Sequence, residues 1–256
     1  MPAHPVVSRE EWLAARKSLL AEEKTLTRQR DELNRRRLEL PWEHVEKSYL
    51  FNGPAGQESL SDLFAGRRQL LVYHFMFGPG WTAGCPSCSF IADHFDGAMA
   101  HLNARDVTLV AISRAPWPQL EAFQKRMGWK FKWVSSAGSD FNYDYHVSFT
   151  PQQIERGDLY YNYQEMNGTP VEDLPGTSAF FRDVDDQVYH TYSSYARGCD
   201  LLLGAYNFLD IAPLGRNEEG LAHSMSWVRY HDSYDANYTV DPLAQYAPPK
   251  GSCCCS

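Results

Sequence analysis

The sequence predicts an α/β protein, a central sheet with helices packed on it and a long helix in front. Three observations predict it. Two continuous apolar runs, 69–77 (QLLVYHFMF) and 107–112 (VTLVAI), have the texture of strands buried on both faces. Helical patterns alternate with them to give the order β-α-β-α-β, which closes as a sheet covered by helices. Residues 8–39 hold no glycine or proline and are crowded with Glu, Lys, Arg, Leu and Gln.

Ser8-Arg9-Glu10-Glu11 fits a capping box for that first helix, with Ser8 as cap and Glu11 reaching back, and Pro41 stops the pattern. The apolar positions Leu13, Leu19, Leu20, Leu26 and Leu33 form a narrow stripe. Such a stripe suits a surface helix laid across the main body or against a partner subunit, so a homodimer is compatible with it. Arg35-Arg36-Arg37 lies among acids and reads as a solvated face before a phosphate site.

From Tyr49 the texture changes. Tyr49-Leu50-Phe51, the turn Gly53-Pro54-Ala55-Gly56 and the segment 59–64 read as strand, turn and short helix. The buried strand 69–77 is broken by Gly78-Pro79-Gly80-Trp81-Thr82-Ala83-Gly84. Residues 88–103 then look helical, with Ile91, Phe95, Ala98, Met99 and Leu102 on one face. After the strand 107–112 come a helix over 118–127 and a strand over 130–134. The stretch 140–175 is irregular and holds Phe141, Tyr143, Tyr145, Phe149, Tyr160, Tyr161 and Tyr163, a lid or, preferably, an aromatic satellite core. Apolar runs at 178–182 and 187–192 around Asp183-Val184-Asp185-Asp186 signal a hairpin, and 200–209 a last helix. Beyond Pro213 the chain turns polar. The expected organisation is a helical extension (1–45), one main domain (46–215) and a polar tail (216–256).

Composition excludes several functions. The 256 residues carry 24 basic and 32 acidic side chains, and a formal charge of −8 argues against a nucleic-acid partner. No run of about 18 apolar residues exists, so no membrane span is expected. The opening Met1-Pro2-Ala3-His4-Pro5 has neither a basic n-region nor an apolar h-region, which points to the cytoplasm. The six cysteines are Cys85, Cys88, Cys199 and the run Cys253, Cys254, Cys255, a spacing unlike a disulfide scaffold.

Cys85-Pro86-Ser87-Cys88 sits where a buried strand meets a helix. A cysteine there faces unpaired backbone N–H groups and the positive end of the helix dipole, which favour thiolate over thiol. Proline suits the first helical turn, where its missing N–H is no loss. Two thiols three residues apart can close a small disulfide, with Cys85 attacking and Cys88 resolving. A lone C-x-x-C also fits half of a zinc site, but no second pair stands nearby.

The blocks FMFGPGWTAGCPSCSFIADHFDGA, SRAPWPQLEAFQKRMGW, SSAGSDFNYDYHVSF and HTYSSYARGCDLLLGAYNFLDIAPLGR resemble a bacterial family of thioredoxin-like proteins over roughly residues 5 to 235. That family is known as one of unknown function, or as predicted dithiol-disulfide oxidoreductases. The resemblance implies a three-layer α/β/α sandwich, thioredoxin-like on the peroxiredoxin side, with the long N-terminal helix as an addition. It implies redox chemistry and brings no substrate. Thioredoxin-like proteins usually place a cis-proline just before the strand facing C-x-x-C. Here Gly176-Thr177 precedes the strand 178–182 and Pro175 stands one step early, and a threonine at that place is closer to peroxiredoxins. Of the peroxiredoxin pattern P-x-x-x-T-x-x-C, Thr82-Ala83-Gly84-Cys85 supplies the second half, while Pro79 is one residue too close.

Arg114, at the end of the strand 107–112, would stabilise a thiolate or a peroxide oxygen; the simpler reading is a surface arginine capping a strand end. Thr82 and Arg114 therefore join Cys85 and Cys88 as expected catalytic residues. His74 reads as a satisfied core histidine before a thiol activator. Trp81, Trp117 and Trp133 are cleft walls or, more simply, core and rim. Cys199 reads as a buried small residue. For Cys253, Cys254 and Cys255 the readings are an arm of reducing thiols, a site for a soft metal such as Cu(I) or Zn(II), and a C-a-a-X signal, discounted because its middle positions are not aliphatic; the simplest is an unselected tail. The expected function is a thiol-disulfide oxidoreductase that needs no cofactor beyond its redox-active disulfide. Its partners would be a small-molecule or protein disulfide, or a peroxide, and a thiol electron donor. The alternative is a non-catalytic protein whose thiolates hold a metal or sense redox state.

Overall fold

The computed structural model describes residues 4–168 and 171–235. The chain divides into two units, Met1–Trp42 and the remainder from Glu43. The first unit is α1 (Arg9–Arg37). The capping box is formed: Ser8 N–H donates to Glu11 Oε2 at 2.9 Å, and Glu11 N–H to Ser8 Oγ at 3.2 Å. Glu10 and Glu11 in the first turn and Arg35 to Arg37 in the last complement the helix dipole. Arg35 pairs with Glu32 at 2.7 Å, so the arginine run is a charged, exposed helix end. No side chain of α1 is buried.

The second unit is built on an eight-stranded sheet: β1 (Glu43–His44), β2 (Leu50–Gly53), β3 (Gly56–Ser59), β4 (Gln69–His74), β5 (Val107–Ser113), β6 (Lys132–Ser135), β9 (Gly176–Arg182) and β10 (Val188–Tyr195). Its order is β1-β10-β9-β4-β5-β6-β2-β3. A separate small hairpin joins β7 (Leu159–Tyr161) to β8 (Gln164–Met166). Strands β4, β5 and β6 are parallel, and β9 and β10 add an antiparallel hairpin beside β4. The parallel connections carry the helices α2 (Pro86–Ala92), α3 (Phe95–Ala104) and α4 (Trp117–Met127). Later come α5 (Phe141–Asp144), α6 (Pro151–Arg156) and α7 (Gly204–Leu209). Strand, C-x-x-C helix, parallel strand, antiparallel hairpin and closing helix form a thioredoxin-like fold, with β6 as a further parallel strand.

Period-two alternation assigns the two faces. Leu71, Tyr73, Leu109, Ala111 and Trp133 turn toward α2, α3 and α4. Leu70, Val72, Val110, Ile112 and Val134 turn the other way, under Leu63 and Phe64 of a 3-10 turn and Phe141 of α5. The second helical layer is therefore thin. The first is dense in aromatic rings: Phe75 lies 4.6 Å from Trp133 and 5.9 Å from Trp129, centroid to centroid. At about 1.5–3 kcal/mol for each fully buried large apolar side chain, this layer holds the strand–helix junction rigidly.

Several boundaries differ from the expectations: the strand 69–77 ends at His74, and the strand 130–134 runs over 132–135. The helix 88–103 breaks at Asp93–His94 into α2 and α3. The helix 200–209 splits into a 3-10 segment, Ala196–Leu202, and α7. The polar stretch after Pro213 is folded over α2 and α4 as far as it is described. There Arg126 forms a forked pair with Asp232 at 2.8 and 2.9 Å, and Met225, Trp227 and Tyr230 pack on the helical face of the core. Its anchors are single side chains separated by polar residues, a pattern with no periodicity to betray it.

Candidate active site

The site begins with the end of β4. Residues 75–77 leave the strand still hydrogen-bonded: Phe75 N–H donates to Ile112 O at 2.9 Å and Ala115 N–H to Phe77 O at 2.8 Å. The chain then loops through 78–84 and returns, so that Cys85 N–H donates to Met76 O at 3.0 Å. Gly84 is required at this turn, because a Cβ there would meet the Phe75 ring at 2.6 Å. Tyr230 fixes the same point from outside, donating its hydroxyl to Gly84 O at 2.7 Å.

Cys85 is the N-cap of α2 and Pro86 its first helical residue. Ser89 donates to Cys85 O through both its N–H and its Oγ, each at 2.9 Å, which locks the first turn. Cys85 is 5% exposed and Cys88 1%, and both thiols are free. The Cys88 thiol beside it lowers the Cys85 pKa most; burial opposes this, and the N–H groups of Cys88 and Ser87 add to the lowering. No first-turn N–H closes a strict hydrogen bond to Cys85 Sγ. Their effect is that of dipoles at short range, as a helix N-terminus supplies. Burial, and then the neighbouring Cys85, push Cys88 far up. The two thiols are thus driven apart, one toward the thiolate and one held as the thiol.

Both sulfurs border a cavity of about 250 Å³. Tyr73, Met76 and Ile91 line it, together with Leu203, Tyr206 and Met225 of the C-terminal segment. Cys199 lines the same cavity, with Thr177 Oγ1 3.6 Å from its sulfur. Burial raises the Cys199 thiol to about 11. Arg216 at the rim is already taken by Asp210, at 2.7 and 2.8 Å.

The family described as "Bacterial protein of unknown function (DUF899)" matches residues 1–234. The chain belongs to this family. No curated protein matches it. Among solved structures, peroxidoxin BcpB from Mycobacterium tuberculosis matches at a TM-score of 0.44 and 15% identity, over 64% of this chain and 94% of that one. Peroxiredoxin Q of Xanthomonas campestris gives 0.41 and 13%, over 65% and 95%. The mitochondrial 2-cys peroxiredoxin of Plasmodium falciparum gives 0.39 and 15%, over 66% and 92%.

In this DUF899 protein the remaining expected residues separate from the dithiol. Thr82 is exposed, outside the cavity lining, and forms no hydrogen bond among the described residues. Arg114 is buried, but away from the sulfurs: its guanidinium donates to Asp173 at 2.6 Å, Glu172 at 2.9 Å and the Tyr143 hydroxyl at 2.8 Å. Burial weighs on both partners, pushing the Asp173 carboxyl up despite Arg114, while the carboxylates keep Arg114 charged. The guanidinium tethers the segment 172–173 to the end of β5, with three of its five N–H donors engaged there.

His74 follows Tyr73 in β4 and so faces the opposite side of the sheet. Its Nε2 lies 2.8 Å from Ser178 Oγ, its ring stacks on Phe141 and Tyr145, and burial lowers its pKa to about 3. It is a core histidine. Trp81 and Trp133 are buried in the helical core and Trp117 packs against it; none lines the cavity. Phe141 and Tyr145 belong to one core cluster and Phe149 and Tyr161 to another, while Tyr143 is half-buried and Tyr160 and Tyr163 are exposed, so four of the seven aromatic residues are core. Pro175 lines the cavity, and Gly176 and Thr177, expected just before the strand, lie within β9, with Thr177 Oγ1 3.6 Å from the sulfur of the cavity-lining Cys199. Cys253, Cys254 and Cys255 lie outside the described residues. No group of three His, Cys, Asp or Glu side chains with metal-site geometry occurs among the described residues. No described helix is long and apolar enough to cross a membrane.

Sequence reasoning missed Tyr73 and the cavity-lining residues of the C-terminal segment. Tyr73 carried a signal, the one hydroxyl in the strand Gln69–His74.

Proposed function

We propose that this chain is a dithiol oxidoreductase that reduces a small-molecule disulfide or peroxide, with Cys85 as nucleophile and Cys88 as resolving thiol. The observation that carries the reading is the opposed tuning of two adjacent buried sulfurs at a helix N-terminus, facing one cavity. Cys85 thiolate attacks the peroxide oxygen or disulfide sulfur, forming a sulfenic acid or a mixed disulfide and releasing an alcohol (water from hydrogen peroxide) or a thiol. Cys88 then attacks Cys85 Sγ, its proton leaving with the displaced hydroxide or thiolate as water or thiol. Two equivalents of an external thiol restore the dithiol and leave as a disulfide. The depth of both sulfurs favours a small substrate over the disulfide of a folded protein.

The test is stepwise trapping in the full chain. Wild type treated with one equivalent of hydrogen peroxide or cystamine is expected to lose two mass units between Cys85 and Cys88. Cys88→Ser is expected to stop at a dimedone-reactive sulfenic acid or a cysteamine adduct on Cys85, and Cys85→Ser to stay unmodified at Cys88. A wild-type Cys85 that neither reagent modifies would overturn the reading. Stoichiometric metal held by Cys85 and Cys88 in the purified protein would overturn it in favour of the binding alternative.

A further inference from the structure

Tyr73 stands in β4 with no exposed surface, and its hydroxyl has no hydrogen-bond partner among the described residues. Buried polar groups are nearly always paired, so a bare hydroxyl in a well-packed layer asks for a reason. The ring cannot turn away, being wedged edge-on against Phe75 (6.1 Å, 90°) and Phe95 (5.4 Å, 82°). Its tip is presented to the cavity that Cys85, Cys88 and Cys199 line. After burial, the groups that act on this hydroxyl are Cys88, Cys199 and Cys85, all of them thiols. It lies beside Cys88 without forming a hydrogen bond of ordinary geometry.

We propose that Tyr73 is a catalytic residue for the resolving thiol, donating its O–H to Cys88 Sγ whenever that sulfur carries negative charge. This rests on the dithiol reading above and adds to it a group in contact with the second sulfur. A thiol sulfur is a weak acceptor and a thiolate a strong one, so the bond is made in the charged state and left unmade in the resting state. A donor already in place where charge develops, beside two buried sulfurs, lowers a barrier without stabilising the ground state. When an external thiol RSH reduces the oxidised enzyme, its sulfur attacks Cys85 Sγ and the Cys85–Cys88 bond breaks. The electron pair goes to Cys88 Sγ, which receives the Tyr73 hydrogen bond and then the proton that RSH gave up. In the forward direction the same bond supports Cys88 as it loses its proton and attacks Cys85. Burial and the surrounding thiols hold the Tyr73 proton tightly, so the hydroxyl donates a hydrogen bond and does not ionise.

Tyr73→Phe removes one oxygen and keeps the ring. In single-turnover experiments with one equivalent of hydrogen peroxide, formation of the Cys85 sulfenic acid, read by dimedone trapping, is expected at the wild-type rate. Its conversion to the Cys85–Cys88 disulfide is expected to slow by about ten- to a hundredfold, the range for losing a hydrogen bond to a charged group. A second readout does not depend on turnover: in the Cys85→Ser background, adding Tyr73→Phe is expected to move the pH midpoint of Cys88 alkylation upward. An unchanged resolving rate with an unchanged midpoint would overturn the role of Tyr73 and leave the dithiol intact. A wild-type Cys85 that peroxide leaves untouched would overturn both.

Discussion

Replacing Cys88 by alanine removes the largest single stabiliser of the Cys85 thiolate and leaves the helix N-terminus in place. A hydrogen bond to a charged group contributes about 1.5–3 kcal/mol, and 1.36 kcal/mol corresponds to one pH unit of titration midpoint. The Cys85 midpoint in Cys88→Ala is therefore expected to rise by about 1–2 pH units. Cys88→Ser, whose hydroxyl still donates, is expected to recover most of the loss. The assay is the rate of iodoacetamide alkylation of Cys85 across pH 4–10, resolved by peptide mass spectrometry so that Cys199 and the terminal cysteines are read separately. The wild-type midpoint should fall below the ordinary cysteine value of about 8.5. An alanine variant that titrates with the wild type would refute the idea that one thiol tunes the other.

Three further outcomes follow from the geometry. His74 has its folded pKa depressed from 6.5 to about 3, so the unfolded chain takes up this proton first as pH falls; the associated stability is whole above pH 6.5 and drains away toward pH 3, by up to about 5 kcal/mol. Urea titrations at several pH values should show a shallower acid slope for His74→Gln, and equal slopes would contradict the assignment. Gly84→Ala forces a methyl group against the Phe75 ring and should cost about 1–3 kcal/mol, read as a lower urea midpoint; an unchanged midpoint would mean the turn has room. Cys199, raised to about 11, has about one thiol in a thousand ionised at pH 8, so its alkylation should lag far behind that of Cys85 in intact protein; comparable rates would contradict its burial.

Much of the fold was legible because its elements obey simple periods. The runs 69–77 and 107–112 are buried on both faces and became β4 and β5, and Ser8 and Glu11 announced the start of α1. The place of the dithiol at a strand–helix junction was legible for the same reason. What failed were inferences about where a side chain ends up once the chain is packed. Arg114 stands at the expected end of β5, yet its partners Glu172 and Asp173 come from 58 and 59 residues away. Thr82 has the right distance in sequence from Cys85, but the loop around it turns the residue to the surface. The cavity lining draws on Leu203 and Tyr206, inside the apolar stretch 201–206, and on Met225 further along the chain. No local pattern encodes such a contact, because it is specified by the surface it lands on.

The measurement closest to the central claim is disulfide mapping of the full reduced chain after one equivalent of hydrogen peroxide, with the remaining thiols blocked and the peptides sequenced by mass spectrometry. The dithiol account predicts a Cys85–Cys88 link that forms first and leaves Cys199 as a blocked free thiol. First oxidation at Cys199, or a persistently reduced Cys85 and Cys88 pair, would contradict it.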